Sequence, residues 1–143
     1  MQSLIHHLSI QTHKETELIN ITEEVKTLVK ESGVQSGTVF ILTLHTTTGL
    51  TVNEGLPDLE KDIEDFLYRT VSDSHNYYHA RYLPSDGQMA VNATSHLRGM
   101  LLGFQTFFPI ENGEMVSGSR QTIYLVELDG PQYRNYIVQI FGV

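Results

Sequence analysis

The sequence predicts an α+β fold. Strand-like runs gather toward the two ends of the chain, two amphipathic helical segments lie between them, and the regular strand–helix alternation of a doubly wound sheet is missing. A length of 143 residues fits one domain, 1–143, with no repeat, low-complexity tract or composition break to mark a linker.

Residues 3–12 read as the first strand, with His6, Leu8 and Ile10 opposing Ile5, His7 and Ser9. Asn20 followed by Glu23 has capping-box spacing for a helix. That helix carries Ile21, Val25, Leu28 and Val29 on one stripe and stops at Gly33. Residues 38–44, rich in β-branched and aliphatic side chains, read as a buried strand. A turn over 46–49 leads to a short strand at 50–53. Pro57 opens a second helix with Leu59, Ile63, Phe66 and Leu67 inward and Asp58, Asp62 and Asp65 on another face. Residues 71–92 read as irregular, with turn signals at Pro84 and Asp86-Gly87. A helical turn at 94–102 precedes a strand at 104–110, and Asn112-Gly113 marks a tight hairpin. Strands at 121–128 and 133–142 flank Asp129-Gly130-Pro131.

Composition narrows the function. A net charge of −8, with nine Lys and Arg dispersed along the chain, argues against nucleic acid, whose binders need a basic footprint. No run approaches the ~20 apolar residues of a membrane span, and the N-terminal stretch does not read as a secretory signal. A cytoplasmic location is therefore expected, with small molecules as partners. Zero cysteines exclude disulfides and thiolate metal sites. Neither a GxSxG elbow nor a GxxxxGK[ST] loop is present.

What chemistry the chain holds gathers around His45, His79 and His96. His45 ends a hydrophobic strand and runs into Thr46, Thr47 and Thr48, where rigid backbone aims a side chain and loop amides stay free. Taken alone, it reads more simply as a histidine capping the strand by bonding to a carbonyl. His79 lies in the long irregular stretch, and His96 opens an apolar helical turn. Three imidazoles with an open position form a sound catalytic zinc shell, although dense HExxH or CxxC spacing is absent. His6, His7 and His13 read as surface residues. Glu54 beside Asn53 is a metal ligand, a general base, or a carboxylate complementing the next helix dipole. Asp62 either orients a ligand histidine or belongs to a solvated face. Glu127 and Arg134 flank the 129–131 turn as a salt bridge, or as an orienting carboxylate beside a phosphate-holding guanidinium.

The ordered set resembles the YjbQ family, labelled secondary thiamine-phosphate synthases. It comprises HTTTGLTVNE at 45–54, Asp62, YxH ending at His79, SHL at 95–97, Leu102-Gly103, Gly118, Gln121, Glu127 and Arg134. Two departures are Arg120, where the family often has Trp, and the inserted PSDGQ segment between His79 and His96. The resemblance implies two helices with a two-sheet β-sandwich, assembled as a homotrimer with sheets packed around the threefold axis. It maps the metal ligands onto His45, His79 and His96, with zinc, or alternatively magnesium, as the divalent cofactor. It maps catalytic roles onto Glu54, Asp62, Glu127 and Arg134, and substrate contacts onto Thr46, Thr47, Asn53, Gln121 and Arg134. The implied reaction joins a pyrimidine pyrophosphate to a thiazole phosphate. A zinc-dependent hydrolase of a phosphate or other ester, and a metal-binding or ligand-binding trimer without turnover, remain open beside it.

Overall fold

Two antiparallel sheets face each other, and helices cover the far side of one of them. The computed structural model describes residues 1–80, 82–83, 88–89 and 92–143. The larger sheet runs in the order β1 (Gln2–Gln11), β10 (Tyr133–Gly142), β3 (Ser36–Thr43), β7 (Gln105–Glu111), β8 (Glu114–Met115). The smaller one is β2 (Glu17–Asn20), β9 (Thr122–Glu127), β4 (Thr48–Asn53). The expected α+β sandwich is thus present, with three helices rather than two: α1 (Thr22–Ser32), α2 (Pro57–Thr70) and α3 (Ala93–Leu102).

The main core lies between the sheets. Val39, Ile41, Phe108, Ile110, Tyr136, Val138 and Ile140 from the larger sheet meet Leu50, Ile123 and Leu125 from the smaller one. Helix α1 adds Val25 and Val29 to this core, then ends at Gly33, whose φ of 76° is left-handed and suits glycine. The expected capping box does not form. Ile21 is the N-cap and gives its N–H to Ile123, while Asn20 Oδ1 accepts from Thr22 N–H at 3.0 Å. Strand β2, whose ELIN sequence shows no clean alternation, exists because β9 offers it a free edge.

Strand β9 is buried on both faces. Ile123 and Leu125 point into the sandwich, whereas Tyr124 and Val126 pack with Leu67, Leu128, Ile63 and Leu102 in a second core under α2 and α3. Helix α2 starts at Pro57 as expected, but Phe66 is 49 % exposed. The helical turn expected at 94–102 is a ten-residue helix. Its close approach to β4 requires glycine on both sides. A Cβ on Gly49 would lie 2.8 Å from Leu102 Cβ, and one on Gly99 would lie 2.8 Å from the Thr48 carbonyl oxygen.

The expected tight turn at Asn112-Gly113 is observed, both residues having positive φ (52° and 79°). The stretch expected to be irregular holds a 3₁₀ turn (Tyr78–Ala80) and a two-residue antiparallel pairing of β5 (Tyr82–Leu83) with β6 (Gln88–Met89). The turn signals at Pro84 and Asp86-Gly87 lie outside the described residues. Among the described residues, no helix is long and apolar enough to cross a membrane.

Candidate functional site

At the end of β3 the chain crosses from the larger sheet to the smaller. Thr43 Oγ1 and Thr48 Oγ1, 2.6 Å apart, close that corner. The ladder between β3 and β10 ends at Thr43 and Tyr136, and one step further Asn135 N–H donates to His45 Nε2 at 2.9 Å. The imidazole thus stands in for a strand carbonyl. An Nε2 that accepts a backbone N–H belongs to a neutral ring with its proton on Nδ1. Burial, and then the nearby Arg134 cation, hold the His45 pKa below its usual 6.5 against the smaller opposing pull of Glu127.

Just inside this corner, Glu127 and Arg134 form a buried pair at the end of the sandwich, 0 % and 2 % exposed. Arg134 Nη2 donates to Glu127 Oε2 at 2.6 Å, and its Nε donates to both carboxylate oxygens at 2.8 and 3.0 Å. The same Nη2 reaches Thr47 Oγ1 at 2.8 Å. Glu127 also accepts from Thr12 Oγ1 at 2.7 Å and from the Leu128 and Asp129 amides at 3.0 and 3.1 Å. Desolvation alone would raise the Glu127 pKa. The bonds from Arg134, Thr12 and Asp129 outweigh it and hold the carboxyl below its usual value. The salt bridge expected between these two residues is present. The Arg134 charge is neutralised in the interior, and Thr47 faces it.

The other two histidines come together. His79 rides the 3₁₀ turn and His96 the first turn of α3, and their rings meet edge to face with centroids 5.1 Å apart. His96 borders two cavities. One, of about 420 Å³, is lined by Tyr77, Tyr78, His79, Ala93, His96 and Leu97. The other, of about 570 Å³, contains His45, Thr46, His96, Met100 and Phe104 in its wall. The three histidines therefore line one continuous stretch of surface, with His96 in the middle. Among the described residues no three His, Asp or Glu side chains form a metal-ligating group. A catalytic zinc ordinarily has three protein ligands, and two imidazoles, His79 and His96, meet here. His45 cannot ligate through Nε2 while that atom holds Asn135.

Sequence reasoning missed the residues that support His79. Asn92, the N-cap of α3, makes no side-chain cap bond. Its Oδ1 lies 3.1 Å from His79 Nε2, and its Nδ2 donates to Asp129 Oδ2 at 3.0 Å. The only sequence signal was an Asn four residues before His96 at a helix start, where capping accounts for it equally well. Arg98, 3 % exposed, donates to the carbonyls of Leu67 and Val71 at the end of α2 and to Asp73, and lies over the Tyr68 ring. It thereby ties the loop before His79 to α3.

The remaining predicted residues lie elsewhere. Asn53 ends β4 and Glu54 follows it, which places Asn53 about 16 Å from Thr48 at the usual strand rise. There Asn53 Oδ1 accepts from Glu54 N–H, and Arg120 pairs with Glu54 at 3.2 Å. Gln121 closes a turn by accepting from Gly118 N–H. Asp62 is exposed on α2 and makes no hydrogen bond or ion pair with the described residues. One chain thus gathers His45, Thr46, His79 and His96 at one end of the small sheet and Asn53, Glu54 and Gln121 at the other.

Residues 6–143 match the model of the family described as UPF0047 protein YjbQ-like. The chain belongs to this family. UPF0047 protein YugU of Bacillus subtilis is 33% identical over 140 residues, covering 97% of this chain and all of that protein. A UPF0047 protein of Archaeoglobus fulgidus is 36% identical over 132 residues, covering 92% and 97%. Among solved structures, a YbjQ-like protein of unknown function from Sulfolobus solfataricus superposes with a TM-score of 0.91 at 31% identity, covering 99% of both chains. A yjbq/upf0047 family protein from Clostridium acetobutylicum gives 0.85 at 34% identity, covering 95% of this chain and 99% of that one. The UPF0047 relationship supports the fold and the family motifs and carries no assigned reaction.

Proposed function

We propose that this UPF0047 chain is a metal-dependent small-molecule enzyme whose centre is the His79–His96 pair. The observation that carries the reading is the meeting of the two rings in the wall of one largely apolar cavity, with His96 also in the wall of a second beside His45. Two imidazoles select a borderline-soft divalent cation, zinc before magnesium, which prefers oxygen ligands. Zinc bound there would act as a Lewis acid toward a carbonyl or phosphoryl oxygen. His45, with its proton on Nδ1, serves as a hydrogen-bond donor and cavity wall.

The apolar walls suit a flat heterocycle, and the reaction expected from the family label joins a pyrimidine pyrophosphate to a thiazole phosphate. One observation favours a second reading, an ester hydrolase. Among the described residues no Lys or Arg lines either cavity, and Arg134 is neutralised by Glu127. A phosphorylated substrate would thus depend on the metal and the amides after His45 for its charge.

The proposed assembly is a homotrimer through the outer face of the larger sheet. Ile5, Phe40, Phe107 and Phe141 are exposed there, and the Phe40 and Phe107 rings lie 6.0 Å apart. Exposed Leu44 and Phe104 extend this apolar face to the wall of the His45 cavity. Neighbouring copies packed on it would supply the missing ligand and cover the cavity mouth.

Elemental analysis of the purified protein, with His79→Ala and His96→Ala, tests the reading. Stoichiometric zinc in the wild type and its loss in both variants are expected. A protein that neither retains nor rebinds metal ends the proposal. Pyrophosphate release from the two thiamine precursors, set against turnover of phosphate esters, divides the synthase from the hydrolase. Metal uptake with neither activity leaves a binding module.

A further inference from the structure

A neutral imidazole has one proton and two nitrogens, and which nitrogen is the lone pair decides what the ring can do. For His79 the surrounding bonds settle that choice in two steps. The first is at Asn92, whose amide has one accepting and one donating end. Its neighbour Asp129 presents a carboxylate oxygen at 3.0 Å, and a carboxylate accepts only. Nδ2 of Asn92 must therefore face Asp129. Oδ1 then faces His79, 3.1 Å from Nε2. The second step follows, since an amide oxygen cannot donate and His79 Nε2 must hold the proton. The lone pair is left on Nδ1.

We infer that Asn92 and Asp129 are positioning residues that lock His79 as its Nε2–H tautomer and present Nδ1 to a cation or a ligand's acidic proton. Three separate segments build the device: the 3₁₀ turn, the first residue before α3, and the turn between β9 and β10. The last of these is anchored by the buried pair, because the Asp129 and Leu128 amides both donate to Glu127 Oε2. Asn92 occupies a helix N-cap, the place where an Asn side chain ordinarily bonds to the helix's own amides. It makes no such bond and turns to His79 and Asp129 instead. Such a partner behind a ligating imidazole fixes the ring's orientation and raises its basicity, and losing it typically weakens metal binding about 10–100-fold.

The inference rests on the reading of His79 and His96 as a ligand site, so its test includes a readout that needs no ligand. Long-range proton–nitrogen NMR on metal-free full-length protein, at about pH 8.5 where imidazoles are ordinarily neutral, reports which His79 nitrogen is protonated. The wild type is expected to show His79 predominantly as the Nε2–H form. Asp129→Ala frees Asn92 to flip and should give a mixed tautomer with a larger Nδ1–H share. Asp129→Asn keeps the shape but presents an amide that donates as well as accepts, so it too releases Asn92 and should show the mixed tautomer. Cobalt titration should follow the same order, with Asp129→Ala and Asp129→Asn both weakened, by up to about 10–100-fold. A wild-type His79 with its proton on Nδ1 overturns the lock, as does an Asp129→Ala spectrum unchanged at His79. A tautomer that switches as expected in a protein that takes up no metal upholds the lock and removes only the metal reading.

Discussion

Replacing Arg134 by Met should be among the most damaging single changes in this chain. The substitution keeps an unbranched apolar stem but removes three bonds to Glu127 of 2.6–3.0 Å and two to Thr47 of 2.8 and 3.4 Å. It leaves a carboxylate at 0 % exposure without its cation. Breaking a buried pair from one side costs about 3–5 kcal/mol. Glu127 keeps Thr12 and two backbone amides as donors, which places the expected loss near the lower end, about 3 kcal/mol. Against a total of about 5–15 kcal/mol for a domain, that is a large share. Urea unfolding followed by far-UV circular dichroism, at one fixed protein concentration, measures it in a chain without tryptophan. The double variant Glu127→Leu/Arg134→Met removes both charges and should be more stable than Arg134→Met alone. The pH dependence supplies a second check. In the wild type Glu127 lies below its usual 4.5, so its contribution is present above that pH and is lost as pH falls through the folded value. In Arg134→Met, burial without the guanidinium raises the carboxyl, and stability then falls as pH rises past 4.5. A single variant within about 1 kcal/mol of wild type, or a double variant showing the plain sum of both losses, would refute a buried, coupled pair.

Two further outcomes follow from the same geometry. Because the folded His45 pKa lies below 6.5, the unfolded chain binds more protons just under that pH, and stability should climb with pH through that window. His45→Gln should lose that part of the slope when unfolding free energies are compared between about pH 5 and pH 7, and equal slopes would remove His45 from the account. Gly99→Ala puts a methyl 2.8 Å from the Thr48 carbonyl oxygen and 3.2 Å from that of Thr46. Overpacking of this kind costs about 1–3 kcal/mol, enough to outweigh alanine's better helix propensity, so the variant should unfold at lower urea. A more stable variant would show that α3 does not press on β4 as described.

Much of the fold was legible because local chemistry and tertiary position agree. The apolar run of β3, the glycine stop of α1, Pro57 at the start of α2 and the Asn112-Gly113 turn each carry their own signal. Strand β2 carried none, since its pairing with β9 is decided by a residue run more than a hundred positions away. Asn20 and Glu23 mimic a capping box, but Ile21 is drawn to β9 and the cap falls one residue late. At the site, the sequence picked out the three histidines and the Glu127–Arg134 pair. It could not tell that the pair would be spent on itself, because that depends on both side chains pointing between the sheets. Nor could it separate Asn53 and Glu54 from His45, which share one motif yet stand at opposite ends of β4. Asn92 and Asp129 look like a cap and a turn residue in sequence, and only their meeting in space gives them another role.

The two cores that share β9 are unequal. Among the described residues, fourteen buried hydrophobic side chains lie in the one between the sheets and four in the one beneath α2 and α3. Local opening follows the weaker packing, so the helical layer should lift more readily than the sandwich, in the manner of a separate cooperative unit. His96 travels with that layer, while His45 is fixed to β10 by its bond from Asn135. The 570 Å³ cavity should therefore have one stationary wall and one that breathes. Amide exchange in α3 should report the size of that motion, with β9 as its slow-exchanging hinge.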